Sequence, residues 1–127
     1  MEHYLIDTNV ICDYLSNAIP TTGQNFMDVV VDAIPNISVI TQIELLCWNT
    51  DDITKQNVRN FISDCNIYEI SEQVIESCVT IRNSKKIKTP DGIIAATAFS
   101  NNFTILSRNI NDFKNINGMK HFNPWEL

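Results

Sequence analysis

Glycine is scarce in this chain: there are three in 127 residues, Gly23, Gly92 and Gly118, and no two are grouped. A nucleotide-binding Rossmann domain needs a glycine-rich first turn, so that class is excluded. The four cysteines, Cys12, Cys47, Cys65 and Cys78, form no Cys-x-x-Cys pair. Cys12, Cys47 and Cys78 sit in apolar, helix-like stretches, and all four read as buried free thiols behaving as small hydrophobes. No apolar run approaches the ~20 residues that a membrane span requires. The opening MEHYLIDTN has no basic leader and reaches Asp7 after a very short apolar run. A secretory signal is therefore not expected, and a cytoplasmic, reducing location is. An excess of positive charge is missing too. The net charge of −6 argues weakly against a nucleic-acid binder, although a cluster of acids neutralised by a divalent cation, or a basic partner protein, would account for part of it.

What the chain does contain is enough apolar material, 44% of residues against 19% charged, to bury one sizeable core. Its length suits a single domain spanning residues 1–127. The local patterns alternate. Short apolar runs at His3 to Ile6, Ile37 to Ile40, Asn66 to Ile70, Phe103 to Leu106 and Met119 to Phe122 read as strands. Helical spacing covers Val10 to Leu15, Gln24 to Ile34 (opened by a Thr21-Thr22-Gly23 turn and stopped by Pro35), and Thr41 to about Trp48. Further helices run from a cap at Asp51 or Asp52 to Cys65, from a Ser71 cap to about Lys86, and from Asp91 to Ser100 behind Pro90. Strands apolar on both faces and alternating with helices predict a three-layer α/β/α fold around a short, mostly parallel sheet. Ligands of such sheets bind at the carboxyl ends of the strands.

Four acids lie where those ends are expected. Each has an ordinary structural role open to it. Asp7 follows the first strand and could cap a helix. Glu44 stands three residues after Thr41, the capping-box spacing. Asp91 falls in a first helical turn, where the macrodipole favours an anion. Asp112, within NINDF, could be a turn or cap residue. Together they read differently, because the predicted fold brings all four to one edge, and close carboxylates oppose one another's ionisation. A bound cation relieves that repulsion. Mg²⁺ suits it, being a hard ion that keeps several waters and needs only one or two direct carboxylates. There it would polarise a phosphodiester and activate water.

The blocks that carry these acids resemble a known family. LIDTNVICDYL (Leu5 to Leu15) is similar to the opening of PIN-domain nucleases. ISVITQIELL (Ile37 to Leu46), KTPDGIIAATAF (Lys88 to Phe99) and FTILSRNINDF (Phe103 to Phe113) resemble the family's second, third and fourth blocks, and HFNPW its usual close. Size and order look most like the VapC-type toxins of bacterial toxin–antitoxin pairs. The resemblance implies a PIN-like fold and Mg²⁺- or Mn²⁺-dependent cleavage of RNA, with homodimers and a cognate antitoxin as partners. It implies Asp7, Glu44, Asp91 and Asp112 as the catalytic, metal-binding acids, with Thr8, Asn9 and Asn109 holding them in place; Asn109 could serve in place of Asp112. The expected reaction is in-line attack by activated water, leaving a 5′-phosphate and a 3′-hydroxyl. Asp7 and Asp91 would hold the principal ion, Glu44 would be a ligand or accept the proton, and Asp112 would complete the cluster.

Four of the nine basic residues, Arg82, Lys85, Lys86 and Lys88, precede Asp91 closely, and Arg108 precedes Asp112. Arg82, Lys88 and Arg108 are candidate RNA-phosphate contacts, while a solvated helix end explains Lys85 and Lys86 equally well. Tyr14 and Trp48 could stack a base, though core packing or a partner contact accounts for both more simply. Among rivals, a haloacid-type phosphatase needs an Asp where Asn9 stands. A response-regulator pocket needs an acid ending the third strand, and Asn66 to Ile70 ends without one. A PIN-like fold kept as a catalytically silent binding or regulatory module should have lost an acid, and none is missing.

Overall fold

The computed structural model describes residues 2–127. Five short strands, β1 (Tyr4–Ile6), β2 (Asn36–Ser38), β3 (Asn66–Tyr68), β4 (Thr104–Leu106) and β5 (Lys120–Phe122), form one sheet in the order β3-β2-β1-β4-β5, with every neighbouring pair parallel. Between them run α1 (Thr8–Leu15), α2 (Thr21–Asp32), α3 (Val39–Leu46), α4 (Asp52–Ser63), α5 (Glu72–Ser84), α6 (Thr89–Ser100) and the four-residue α7 (Ile110–Phe113). A 3₁₀ turn, Pro124–Glu126, closes the chain. None of the described helices is long and apolar enough to cross a membrane.

The period-2 alternation of the central strands splits the core in two. Leu5 of β1 and Ile105 of β4 point to one face, where they pack with Val74 and Ile81 of α5 and with Ile94, Ala95 and Ala98 of α6. Ile6 and Leu106 point to the other, joining Val10 and Ile11 of α1, Met27 of α2, and Val58 and Phe61 of α4. Helices therefore cover both sides of a sheet buried on both faces, which gives the three-layer α/β/α architecture of the PIN-like fold. Gly92 lets α6 come close to α5: a Cβ there would lie 3.2 Å from Cys78 Sγ.

Chain order supplies the geometry of the site. From β1 the chain moves outward to β2 and β3, then crosses back to β4 on the far side of β1. The sheet thus reverses direction between β1 and β4, and a crevice opens beyond the carboxyl ends of those two strands.

Several boundaries differ from the sequence expectation, each for a local reason. The second strand stops at Ser38 rather than Ile40, because the Ser38 hydroxyl accepts the Ile40 N–H at 3.1 Å and caps α3. The capping box expected of Thr41 and Glu44 is therefore absent: Thr41 is fully buried, and Glu44 lies in the second turn of α3. The helix expected from Gln24 to Ile34 starts at Thr21 and ends at Asp32, so Gly23 is helical rather than a turn residue. A Cβ on Gly23 would lie 2.1 Å from the Pro124 carbonyl, so its bareness serves the seat of the C-terminal turn. Cys78 is buried and Cys12 and Cys65 are half-buried, but Cys47, at the C-cap of α3, is exposed.

Candidate active site

Asp7 and Ser107 occupy equivalent places. Ile6 of β1 pairs with Leu106 of β4, so the next residue on each strand stands at the mouth of the crevice. The Asp7 N–H still donates to the Leu106 carbonyl, at 2.9 Å, and the Ser107 N–H donates to the Phe122 carbonyl of β5, at 3.1 Å. Asp7 is 6% exposed and Ser107 is fully buried. The Ser107 hydroxyl donates to Asp7 Oδ2 at 2.8 Å, while Asp7 Oδ1 accepts the Thr8 N–H at 2.8 Å as the N-cap of α1. Asp7 therefore caps a helix and also presents a nearly buried carboxylate, each oxygen holding one hydrogen bond and keeping lone pairs to spare.

Burial pushes the Asp7 carboxyl up from 3.8 to about 6; the hydrogen bonds from Ser107 and Thr8 offset part of this, and the charges of Asp91 and Glu44 add to it. Asp91, in the first turn of α6, is half-buried and also raised, chiefly by burial, then by the charges of Asp112 and Glu44, with Lys88 acting in the opposite sense. Asp7 and Asp91 thus each feel two other acids of the set. Asp91 and Asp112 line one cleft, and Asp7 and Glu44 are near enough for their charges to be felt, but among the described residues no three of His, Cys, Asp or Glu stand close enough to enclose an ion.

The flanking polar residues differ in what they do. The Thr8 hydroxyl donates to Glu44 Oε1 at 2.6 Å and lies 3.1 Å from the buried Thr41 hydroxyl, which ties α1 to α3. Asn109 donates through Nδ2 to Asp112 Oδ2 at 2.5 Å, and its N–H donates to Ser107 Oγ at 2.9 Å. The Asn9 side-chain carbonyl oxygen is buried without a hydrogen-bond partner. The donor set is all oxygen, two of its carboxyls resist ionisation, and a buried amide oxygen beside Asp7 is unsatisfied. That chemistry fits a hard divalent cation.

Arg82, Lys86 and Lys88 line an open cleft of about 620 Å³ together with Asp91, Asn109 and Asp112. Arg82 also donates through Nε to the Ile87 carbonyl at 3.1 Å. Arg108 is engaged elsewhere: Nη1 is 3.3 Å from Asp13 Oδ2, and the guanidinium carbon sits 5.3 Å from the centre of the Trp125 ring, whose Nε1 donates to the same Asp13 oxygen at 3.0 Å. Lys85 is half-buried, its amine bonded to two main-chain carbonyls. Tyr14 packs in the core and donates to Asp28 at 2.6 Å, and Trp48 packs against the same cluster. The sequence alone did not mark Ser107 or Thr41 as site residues, and it offered Lys85 only as a phosphate contact or a solvated helix end. Only Ser107 carried a usable signal: it follows FTIL as Asp7 follows YLI, one residue beyond a strand.

The PIN-domain family model matches residues 4–119. No curated protein matches the chain in sequence. A toxin–antitoxin complex from Klebsiella pneumoniae contains a chain similar to this one, 31% identical, with a TM-score of 0.75 and coverage of 98% of this chain and 99% of that one. FitAcB from Neisseria gonorrhoeae is similar at 26% identity and TM-score 0.77, over 98% of this chain and 99% of that one. DNA-bound VapBC from Salmonella typhimurium shares the fold at TM-score 0.78 and 20% identity, over the same shares of the two chains. With its family model covering nearly the whole chain and its acids gathered at the crevice between β1 and β4, this protein belongs to the PIN-domain family.

Proposed function

We propose that this chain is a VapC-type toxin, an endoribonuclease that depends on Mg²⁺ or Mn²⁺ and is held in check by a cognate antitoxin. The observation that carries the reading is the pair of acids raised by burial and by neighbouring carboxylates, Asp7 and Asp91, at the sheet's switch point beside a cleft with a cationic rim. The similar chains solved within toxin–antitoxin complexes support the antitoxin as a partner. An intracellular site of action and a homodimer belong to the same proposal.

A divalent cation, when bound, would neutralise charge on the scissile phosphate and lower the pKa of water. Asp7 and Asp91 would hold it. Ser107 and the Thr8 N–H fix the orientation of the Asp7 carboxylate before any ligand arrives, so little reorganisation is needed on binding. Glu44 is steadied through Oε1 by Thr8; its other oxygen is free to accept the proton of the attacking water. Asp112, or Asn109 bonded to it, completes the basin. Arg82, Lys86 and Lys88 bind backbone phosphates on the rim and position the RNA without reading its sequence. Arg108 holds Asp13 through Nη1 alone and lies over Trp125, which leaves other donors of its half-exposed guanidinium for a phosphate.

Purified protein incubated with total cellular RNA should cut it in Mg²⁺ or Mn²⁺, leave it intact in EDTA, and lose activity in Asp7→Asn and Asp91→Asn variants that keep the wild-type circular dichroism. Single-stranded DNA in parallel should stay intact. A well-folded wild type that neither cleaves RNA nor binds either metal would overturn the reading in favour of a silent PIN-like module.

A further inference from the structure

Four residues make a poor helix. One turn fixes several backbone dihedrals for a single internal hydrogen bond, so a segment as short as α7 does not hold its shape alone. Asn109, at its N-cap, gives it no side-chain capping bond. Yet α7 carries Asp112. On its buried side it is pinned by Phe113, which is 1% exposed. The Asn109 N–H ties the N-cap to Ser107 Oγ at 2.9 Å, but neither contact holds the C-terminal end of α7, on which the direction of Asp112 also depends.

Lys85 holds that end. From the C-cap of α5 its Nζ reaches across to donate to the Asn111 carbonyl at 2.8 Å and the Lys114 carbonyl at 2.7 Å. Those carbonyls flank Asp112 along the chain on either side. The contacts are short, charge-assisted, and made to the C-terminal end of a helix, where a cation is favoured. We propose that Lys85 is a positioning residue for the metal basin. It does not touch RNA or the ion, but fixes the orientation of α7 and so holds Asp112, with Asn109 bonded to it, against Asp91. The inference rests on the basin being a divalent-cation site, and it gives half-buried Lys85, next in the chain to the rim residue Lys86, a role distinct from phosphate binding.

Electrostatics and positioning predict opposite signs here, which makes the inference testable. If Lys85 acts only as a nearby positive charge, removing it strengthens cation binding, because like charges repel. If it acts through α7, removing it weakens binding. Titrating Mn²⁺ into the full-length protein by calorimetry, we expect Lys85→Met to bind about tenfold more weakly than wild type, the scale on which groups behind a metal's ligands act. Circular dichroism should be unchanged. Lys85→Arg, which can still donate to both carbonyls, should recover most of the loss. In an Asp112→Asn background Lys85→Met should cost nothing more, since the two changes remove one shared interaction. Mn²⁺ binding by Lys85→Met as tight as wild type or tighter, or an equal loss in the Asp112→Asn background, would overturn the inference while leaving the metal site standing. A wild type that takes up no Mn²⁺ would overturn both.

Discussion

Asp7 and Asp112 belong to one basin but are held by different means. Asp7 hangs from the sheet. Its backbone continues the β1–β4 ladder, its two oxygens each accept a hydrogen bond, and it is almost wholly buried. Asp112 sits on a one-turn helix beyond the sheet, half-buried, bonded to Asn109 and steadied from a distance by Lys85. Position at the first end follows from strand register, and at the second from individual side chains. The first end should therefore tolerate almost no change, whereas the second should lose function in smaller steps.

Cleavage should show this contrast most strongly. Asp7→Asn should lower the rate of RNA cleavage by at least about 100-fold, more than the loss of an outer-shell partner brings, and Asp112→Asn by only about tenfold. Equal losses at the two positions, in rates measured at the Mn²⁺ concentration that saturates the wild type, would break the comparison.

Stability should respond in the opposite sense. Asp7 has a folded pKa raised to about 6 from 3.8, so the folded state holds its proton more tightly than the unfolded chain does. Its contribution to stability is fully present below about pH 3.8 and is lost as pH rises to about 6, a change of about 3 kcal/mol by linkage. In EDTA, the stability of Asp7→Asn relative to wild type should improve by up to that amount between pH 4 and pH 7. Urea unfolding at the two pH values checks it; a difference that stays flat with pH would mean that Asp7 pays no burial cost.

Ser107→Ala comes next. It strips a donor from a buried carboxylate and should cost about 1–3 kcal/mol of stability at pH 7. It should also weaken Mn²⁺ binding by tenfold to about 100-fold. Differential scanning calorimetry and a metal titration read the two effects separately.

The smallest effect should come from Arg108→Ala. Its ion pair and ring contact are made at the surface, where the guanidinium side chain is 51% exposed, and each such contact contributes under about 1 kcal/mol. Tm should fall by a few degrees at most, with Mn²⁺ affinity unchanged. A large loss of metal binding would show that the Asp13–Arg108–Trp125 group reaches the basin through the adjacent Ser107.

The same division decided what the sequence could reveal. The order of strands and helices was legible because the apolar periods of the long elements are unambiguous, and a parallel sheet then places strand-end acids together. Boundaries set by one hydrogen bond were not, as with Ser38 capping α3 ahead of Thr41. Nor was α7, since four residues of INDF carry no helical period. Ser107 looked like any serine until the pairing of Ile6 with Leu106 set it beside Asp7. Lys85 and Arg108 stood out only as charges; which carbonyls or rings they meet is fixed by contacts far apart in the chain, 26 residues apart for Lys85 and Asn111.

The central claim is that the acids beyond β1 and β4 form a divalent-cation site organised on Asp7. Calorimetric titration of Mn²⁺ into metal-free wild type and Asp7→Asn at pH 7.5 tests it most directly. The account predicts saturable binding by the wild type and none by the variant, with both folded. Binding of equal strength by the two would place the ion elsewhere and contradict the claim, as would a wild type that binds no metal at all.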